Sequence, residues 1–175
     1  MPAGPAAESP LKAQERLARL RQDLDAECAD TLEAEQSVVV LMTQSDRHAE
    51  ALALAQDLVA RAEGILGAEH RLVLALKWNI GCCTYALGDI EDGLRKLDSA
   101  VADASRVLGP SDMSTVLRSV GVIGMLIEAG RTDTARERLT ALENNYPDLP
   151  SWHVYKLQFQ EAEEHLAARQ QQPTG

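Results

Sequence analysis

Midway along the chain, apolar residues fall at Val73, Leu74, Leu76, Ile80, Cys83 and Leu87, close to a 3.6-residue spacing. That is the signature of a helix with one apolar face. Gly88-Asp89 interrupts the pattern, since glycine readily takes the left-handed conformation that ends helices. A second stripe follows at Ile90, Leu94, Leu97, Ala100, Val101 and Val107, and the LGPSD run stops it. Ser111 or Asp112 is placed to cap the next helix. No period-two alternation is long enough to make a sheet. The pattern predicts helical hairpins and an all-α fold.

The hairpin recurs. Leu24, Leu66 and Leu108 stand 42 residues apart, and the same offset aligns Ser37-Val38-Val39, Asn79-Ile80-Gly81 and Gly121-Val122-Ile123. Ser45-Asp46-Arg47 is read against Gly88-Asp89-Ile90 and Gly130-Arg131-Thr132, then Ala51-Leu52 against Gly93-Leu94 and Ala135-Arg136. Self-similarity at such a period marks a repeat array. First helices are expected at about 29–44, 71–87 and 113–129, and second helices at about 47–65, 90–107 and 132–144. Pro147 and Pro150 end the third copy, and a final helix follows over about 151–169. Ser9-Pro10 suits the start of a helix at about 10–24. The repeats thus cover about 24–65, 66–107 and 108–149 within one domain spanning 9–169, with loose tails at 1–8 and 170–175. Leu97 and Leu139 are expected in the core.

Asn79, Ile80, Gly81, Gly88, Asp89, Ile90, Gly93, Leu94 and Ala100 of the middle copy resemble a tetratricopeptide (TPR) repeat. The 42-residue period and the LG-(P/A)-x-(D/H) connector are similar to the longer variant of kinesin light chains. The other copies depart from it at Val39 and Ile123, which stand where Gly81 does, and at Ser45 in place of the turn glycine. The resemblance implies a right-handed α-solenoid of about three hairpins, with the first helix of each repeat lining a concave face. Mapping by offset places Glu33, Gln36, Val40, Thr43 and Gln44 on that face, then Ala75, Trp78, Cys82, Tyr85 and Ala86, then Leu117, Val120, Gly124, Ile127 and Glu128. Gln36, Val40, Thr43, Trp78, Cys82, Tyr85, Val120, Gly124 and Ile127 are the candidate partner-binding residues. Trp78, Cys82 and Tyr85 share one helix face, which suits capture of an apolar peptide or amphipathic helix. Packing of Trp78 against the final helix is the competing reading.

The final helix carries an apolar stripe at Trp152, Tyr155, Phe159, Ala162 and Leu166, and the first has Ala13, Leu17, Leu20 and Leu24. Repeat arrays need capping elements over their terminal cores, and both helices are expected to cap. No mapped concave position is Lys or Arg, so a clamp for a partner's terminal carboxylate is not expected. Asp23, Asp25, Glu27, Asp30, Glu33 and Glu35 form an acidic run, read as a solvated face or as a means of steering a basic partner segment.

Charge narrows the partner class. With 17 Lys and Arg against 27 Asp and Glu, the formal charge of −10 argues against nucleic acid or an anionic membrane surface as partner. The start MPAGPAAESP has neither a basic segment nor an apolar stretch of the secretory kind, and a cytoplasmic protein is expected. Cys28, Cys82 and Cys83 have no zinc-ligand spacing, and adjacent cysteines on a helix point about 100° apart, so neither a disulfide nor a metal is expected. His48, His70, His153 and His165 are scattered; His70 is read as a helix cap, and Glu161 with His165 supplies two ligands, which do not make a site. No nucleophile-elbow, metalloprotease or phosphate-loop motif is present. The expectation is a non-catalytic adaptor without cofactor that binds a protein partner, as monomer or homodimer. The alternatives are a self-associating module acting through its terminal helices, or a small-ligand receptor or accessory enzyme.

Overall fold

The computed structural model describes residues 29–146 and 154–170, with residues 11, 12, 15, 18 and 19 ahead of them. Among the described residues there are seven long helices and no strand: α1 (Ala29–Gln44), α2 (His48–Leu66), α3 (Arg71–Ala86), α4 (Ile90–Leu108), α5 (Met113–Glu128), α6 (Thr132–Asn144) and α7 (Val154–Gln170). Residues 11, 12, 15, 18 and 19 are helical. The remainder of the helix expected at about 10–24, including Ala13, Leu17, Leu20 and Leu24, lies outside the described residues. So do Trp152, the side chain of Tyr155, and Asp23, Asp25 and Glu27 of the acidic run.

Each connector follows the repeat. Gly67 and Gly109 end α2 and α4 with φ of 88° and 96°, in the left-handed region. The residues three further on then start the next helix: His70 Nδ1 accepts from the Leu72 amide at 3.2 Å, and an Asp112 carboxylate oxygen accepts from the Ser114 amide at 2.9 Å. These are N-caps, His70 as expected and Asp112 rather than Ser111. The turn inside each hairpin corrects the sequence alignment. Gly88 and Gly130 have φ of 96° and 76°, and the residue of the first copy that shares this conformation is Asp46, at 58°. Asp46, not Ser45, therefore stands at the turn-glycine site, and the 42-residue offset holds through all three hairpins.

The chain forms two compact units, Met1–Lys96 and Leu97–Gly175, with the boundary inside α4. In the first unit α1, α2 and α3 pack on one another. Leu32, Val38, Val39, Met42, Ala51, Ala55, Leu58, Ala62, Leu72, Val73, Leu76 and Cys83 form its core. Leu87, counted with the α3 stripe in the sequence, is exposed just past the helix end. Glu35 is fully buried and so does not belong to a solvated acidic face. Its carboxylate accepts two hydrogen bonds from Arg61 of α2, at 2.9 and 3.0 Å. Arg61 also donates to Asp57 at 3.1 Å, and with Glu35 the dominant influence its guanidinium is held above its ordinary value.

In the second unit α7 packs on both α5 and α6. Phe159, Ala162 and Leu166 of its stripe are buried, as are Val122, Ile123, Leu126 and Leu139. Tyr146 links this packing to the repeat connector, donating its hydroxyl to the Pro110 carbonyl at 2.9 Å while its ring lies 6.2 Å from that of Phe159. Lys156 of α7 reaches Glu143 of α6 at 3.2 Å. Within this unit α7 covers the last hairpin, as a capping helix must. Asp98 and Arg138 pair across α4 and α6 with two hydrogen bonds.

Candidate functional site

Two adjacent first helices build the candidate face of the first unit. Thr43 Oγ1, near the end of α1, lies 3.5 Å from Cys83 Sγ, near the end of α3. At the opposite end, residues from the start of α1 and from the start of α3 line one groove of about 700 Å³: Glu33, Gln36, Ser37, Glu69, His70, Arg71, Leu72 and Ala75. The helices therefore run in the same direction. They touch at their C-terminal ends and leave a groove at their N-terminal ends.

A close approach fixes the far end of α3. A Cβ placed on Gly93 of α4 would stand 2.6 Å from both Tyr85 N and Tyr85 Cα. Real Cβ atoms do not come so near backbone, so glycine is what allows α4 to pack on α3 at this point. Thr84 Oγ1 donates to the Ile80 carbonyl at 2.7 Å and receives Lys96 Nζ at 3.2 Å. Both contacts hold the same turn of α3, from which Tyr85 projects.

Of the candidate residues, Gln36, Val40, Thr43, Trp78, Cys82 and Tyr85 are all half-buried and lie in this first unit. Gln36 lines the groove directly, and Trp78 follows Ala75 by one turn along α3. Thr43 presents less polarity than its formula suggests, because its hydroxyl donates to the Val39 carbonyl at 2.9 Å. Cys83, next to Cys82, is buried, and that burial pushes its thiol above the ordinary range despite the contact with Thr43. It is an inert core thiol rather than a nucleophile.

The second unit holds Val120, Gly124 and Ile127 on α5. Val120 and Gly124 are half-buried, but Ile127 is only 4% exposed. It belongs with the buried Ile123 and Leu126, on the helix that α7 covers, and is not available to a partner. Met113 and Leu117, on the preceding turns of α5, are exposed at 54% and 41%. A separate cavity of about 240 Å³ lies among Val101, Ser119, Val122, Ala141 and the Asp98–Arg138 pair, all in this unit.

Two features escaped the sequence reading. The connector before α3 contributes Glu69 and His70 to the groove, and Arg71, the first residue of α3, joins them. A basic residue thus does reach the groove, at the first position of α3. The cavity beside Asp98 had no signal beyond the small side chains of Ser119 and Ala141. Among the described residues no group of three or more His, Cys, Asp or Glu is placed to hold a metal ion. Nor is any helix there long and apolar enough to cross a membrane.

Comparisons with known proteins bear on the fold. No protein-family model matches the sequence, and no curated protein does. Solved structures do match. The crystal structure of a Podosopora anserina kinesin light chain with nearly identical TPR-like repeats is similar to 92% of this chain at 19% identity. The match covers 85% of that protein with a TM-score of 0.69. A single-substitution variant of the same protein matches 92% of this chain and 83% of its own, with 19% identity and a TM-score of 0.71. The seven long helices among the described residues, the recurring turns and this likeness together establish that the chain has the TPR-like helical-repeat fold.

Proposed function

We propose that this chain is a non-catalytic protein–protein interaction module, an adaptor or regulator acting in the cytoplasm as a monomer or homodimer. In this reading the face of the first helices receives a peptide or amphipathic helix of a partner protein. Gln36, Val40, Thr43, Trp78, Cys82 and Tyr85 of the first unit supply the contacts. The observation that carries the reading is the groove of about 700 Å³ between α1 and α3, with half-buried Trp78 one turn beyond it. Tryptophan and tyrosine on a preformed surface supply large contact area at little entropic cost and dominate binding hot spots. Helical-hairpin arrays with TPR-like folds are generally not catalysts, and fold alone assigns no chemistry. Self-association through α7 is the weaker alternative, because Phe159, Ala162 and Leu166 are already buried within their own unit.

Affinity capture from native cytoplasm, comparing wild type with Trp78→Ala/Tyr85→Ala, tests the proposal. Circular dichroism first establishes that the double variant is folded. A protein held by wild type and lost from the folded variant supports the groove. Equal capture by both moves the binding surface elsewhere and defeats it.

A further inference from the structure

The groove has a polarity that says what it would hold, given the peptide-binding role proposed above. Leu72, Ala75 and Ser37 line it together with Glu33 and Glu69. Arg71 reaches the same groove, where these two carboxylates outnumber it. Glu33 is exposed and makes no ion pair among the described residues, and Asp30, also exposed, stands one helical turn before it. Beyond Ala75 the face changes character: Val40, Trp78 and Cys82 are half-buried and uncharged. At the far end Thr43 meets Cys83 and the two helices close. Along one direction the face is therefore acidic at the groove and uncharged beyond it.

We propose that the open end of the groove receives a Lys or Arg side chain of the partner segment, while the next apolar side chain of that segment covers Trp78. The spacing follows from helix geometry. From Leu72 to Trp78 the rise is about 9 Å at 1.5 Å per residue. An extended chain spans that distance in about three residues, and a helix in about six. The recognised pattern is a basic residue followed or preceded by an aromatic or large aliphatic residue, three positions away if extended and six to seven if helical. Overall charge acts in the same sense, since a chain of formal charge −10 attracts basic segments and repels acidic ones at a distance.

Panning a phage-displayed random dodecapeptide library on the full chain tests this. Enriched peptides are then synthesised with a fluorophore and measured by anisotropy at low and high salt. The expected result is enrichment of Lys or Arg at the stated spacing from an apolar residue. Replacing that residue by Glu in the peptide should weaken binding roughly fivefold or more at low salt, and by less at high salt. Glu33→Lys should remove the preference for basic peptides, and Trp78→Ala should weaken all enriched peptides whatever their charge. Acidic or uncharged peptides that still depend on Trp78 would overturn the charge inference and leave the groove reading intact. No enriched peptide, or peptides indifferent to both Trp78→Ala and Glu33→Lys, would overturn the groove reading and this inference with it.

Discussion

Replacing Gly93 by alanine sets two opposed effects against each other at one methyl group. Gly93 lies in the first turns of α4, and alanine in a helix interior is favoured over glycine by about 1 kcal/mol. Against that stands a Cβ at 2.6 Å from Tyr85 N and Cα, and 2.7 Å from Tyr85 Cβ. Carbon atoms in contact sit at about 3.5–4.0 Å, so the overlap is about 1 Å and falls on backbone that has no rotamer to escape into. The helices must separate, and overpacking of this kind costs roughly 1–3 kcal/mol, occasionally more. With backbone as the obstacle the packing penalty wins, and a net loss of up to about 2 kcal/mol is expected, lowering Tm by up to roughly 8 °C for a chain of this size. Gly64→Ala and Gly124→Ala are the controls, since a Cβ at either meets nothing within 4 Å. Both should hold Tm constant or raise it. Thermal melts followed by circular dichroism compare the three. If Gly93→Ala melts with the controls or above them, then the close approach of α4 to α3 is not what glycine provides there, and the argument fails.

Leu97→Ala and Leu139→Ala remove side chains that are 0% and 3% exposed, and each should cost about 2–5 kcal/mol by urea melt. A loss under about 0.5 kcal/mol would show either residue to be outside the core. Arg61→Met strands the fully buried Glu35 carboxylate and should cost about 3 kcal/mol, while Glu35→Met/Arg61→Met recovers much of it; a double variant no better than the single would show the pair to be structurally irreplaceable. Asp46→Gly relieves a left-handed residue at the site held elsewhere by Gly88 and Gly130, and should raise Tm by a few degrees, whereas Gly88→Ala should lower it.

Why the repeat was so legible follows from how such a chain is held together. Within each unit helices close in sequence pack on one another, so local signals decide local structure, and the α3, α4 and α6 boundaries lie within about a residue of those expected from periodicity. The turn of the first hairpin has no glycine, so glycine spacing does not fix its register. Aspartate also tolerates the left-handed conformation, and Asp46 uses it. Composition groups Glu35 with its acidic neighbours, whereas Leu32, Val38, Val39 and Met42 place it on the buried stripe of α1. Periodicity is the stronger signal there, and a carboxylate on an apolar stripe needs a cation, which Arg61 supplies. The candidate face divides on the same line. Positions repeating at 42 residues are read correctly onto the first helices, but their exposure depends on what lies against each copy. Thr43 and Tyr85 are half-buried, whereas Ile127, one period further on, is buried on a helix that α7 covers. A repeat thus makes positions equivalent in backbone without making them equivalent in environment. The proposed face therefore rests on the groove between α1 and α3 in the first unit, with half-buried Trp78 one turn beyond it.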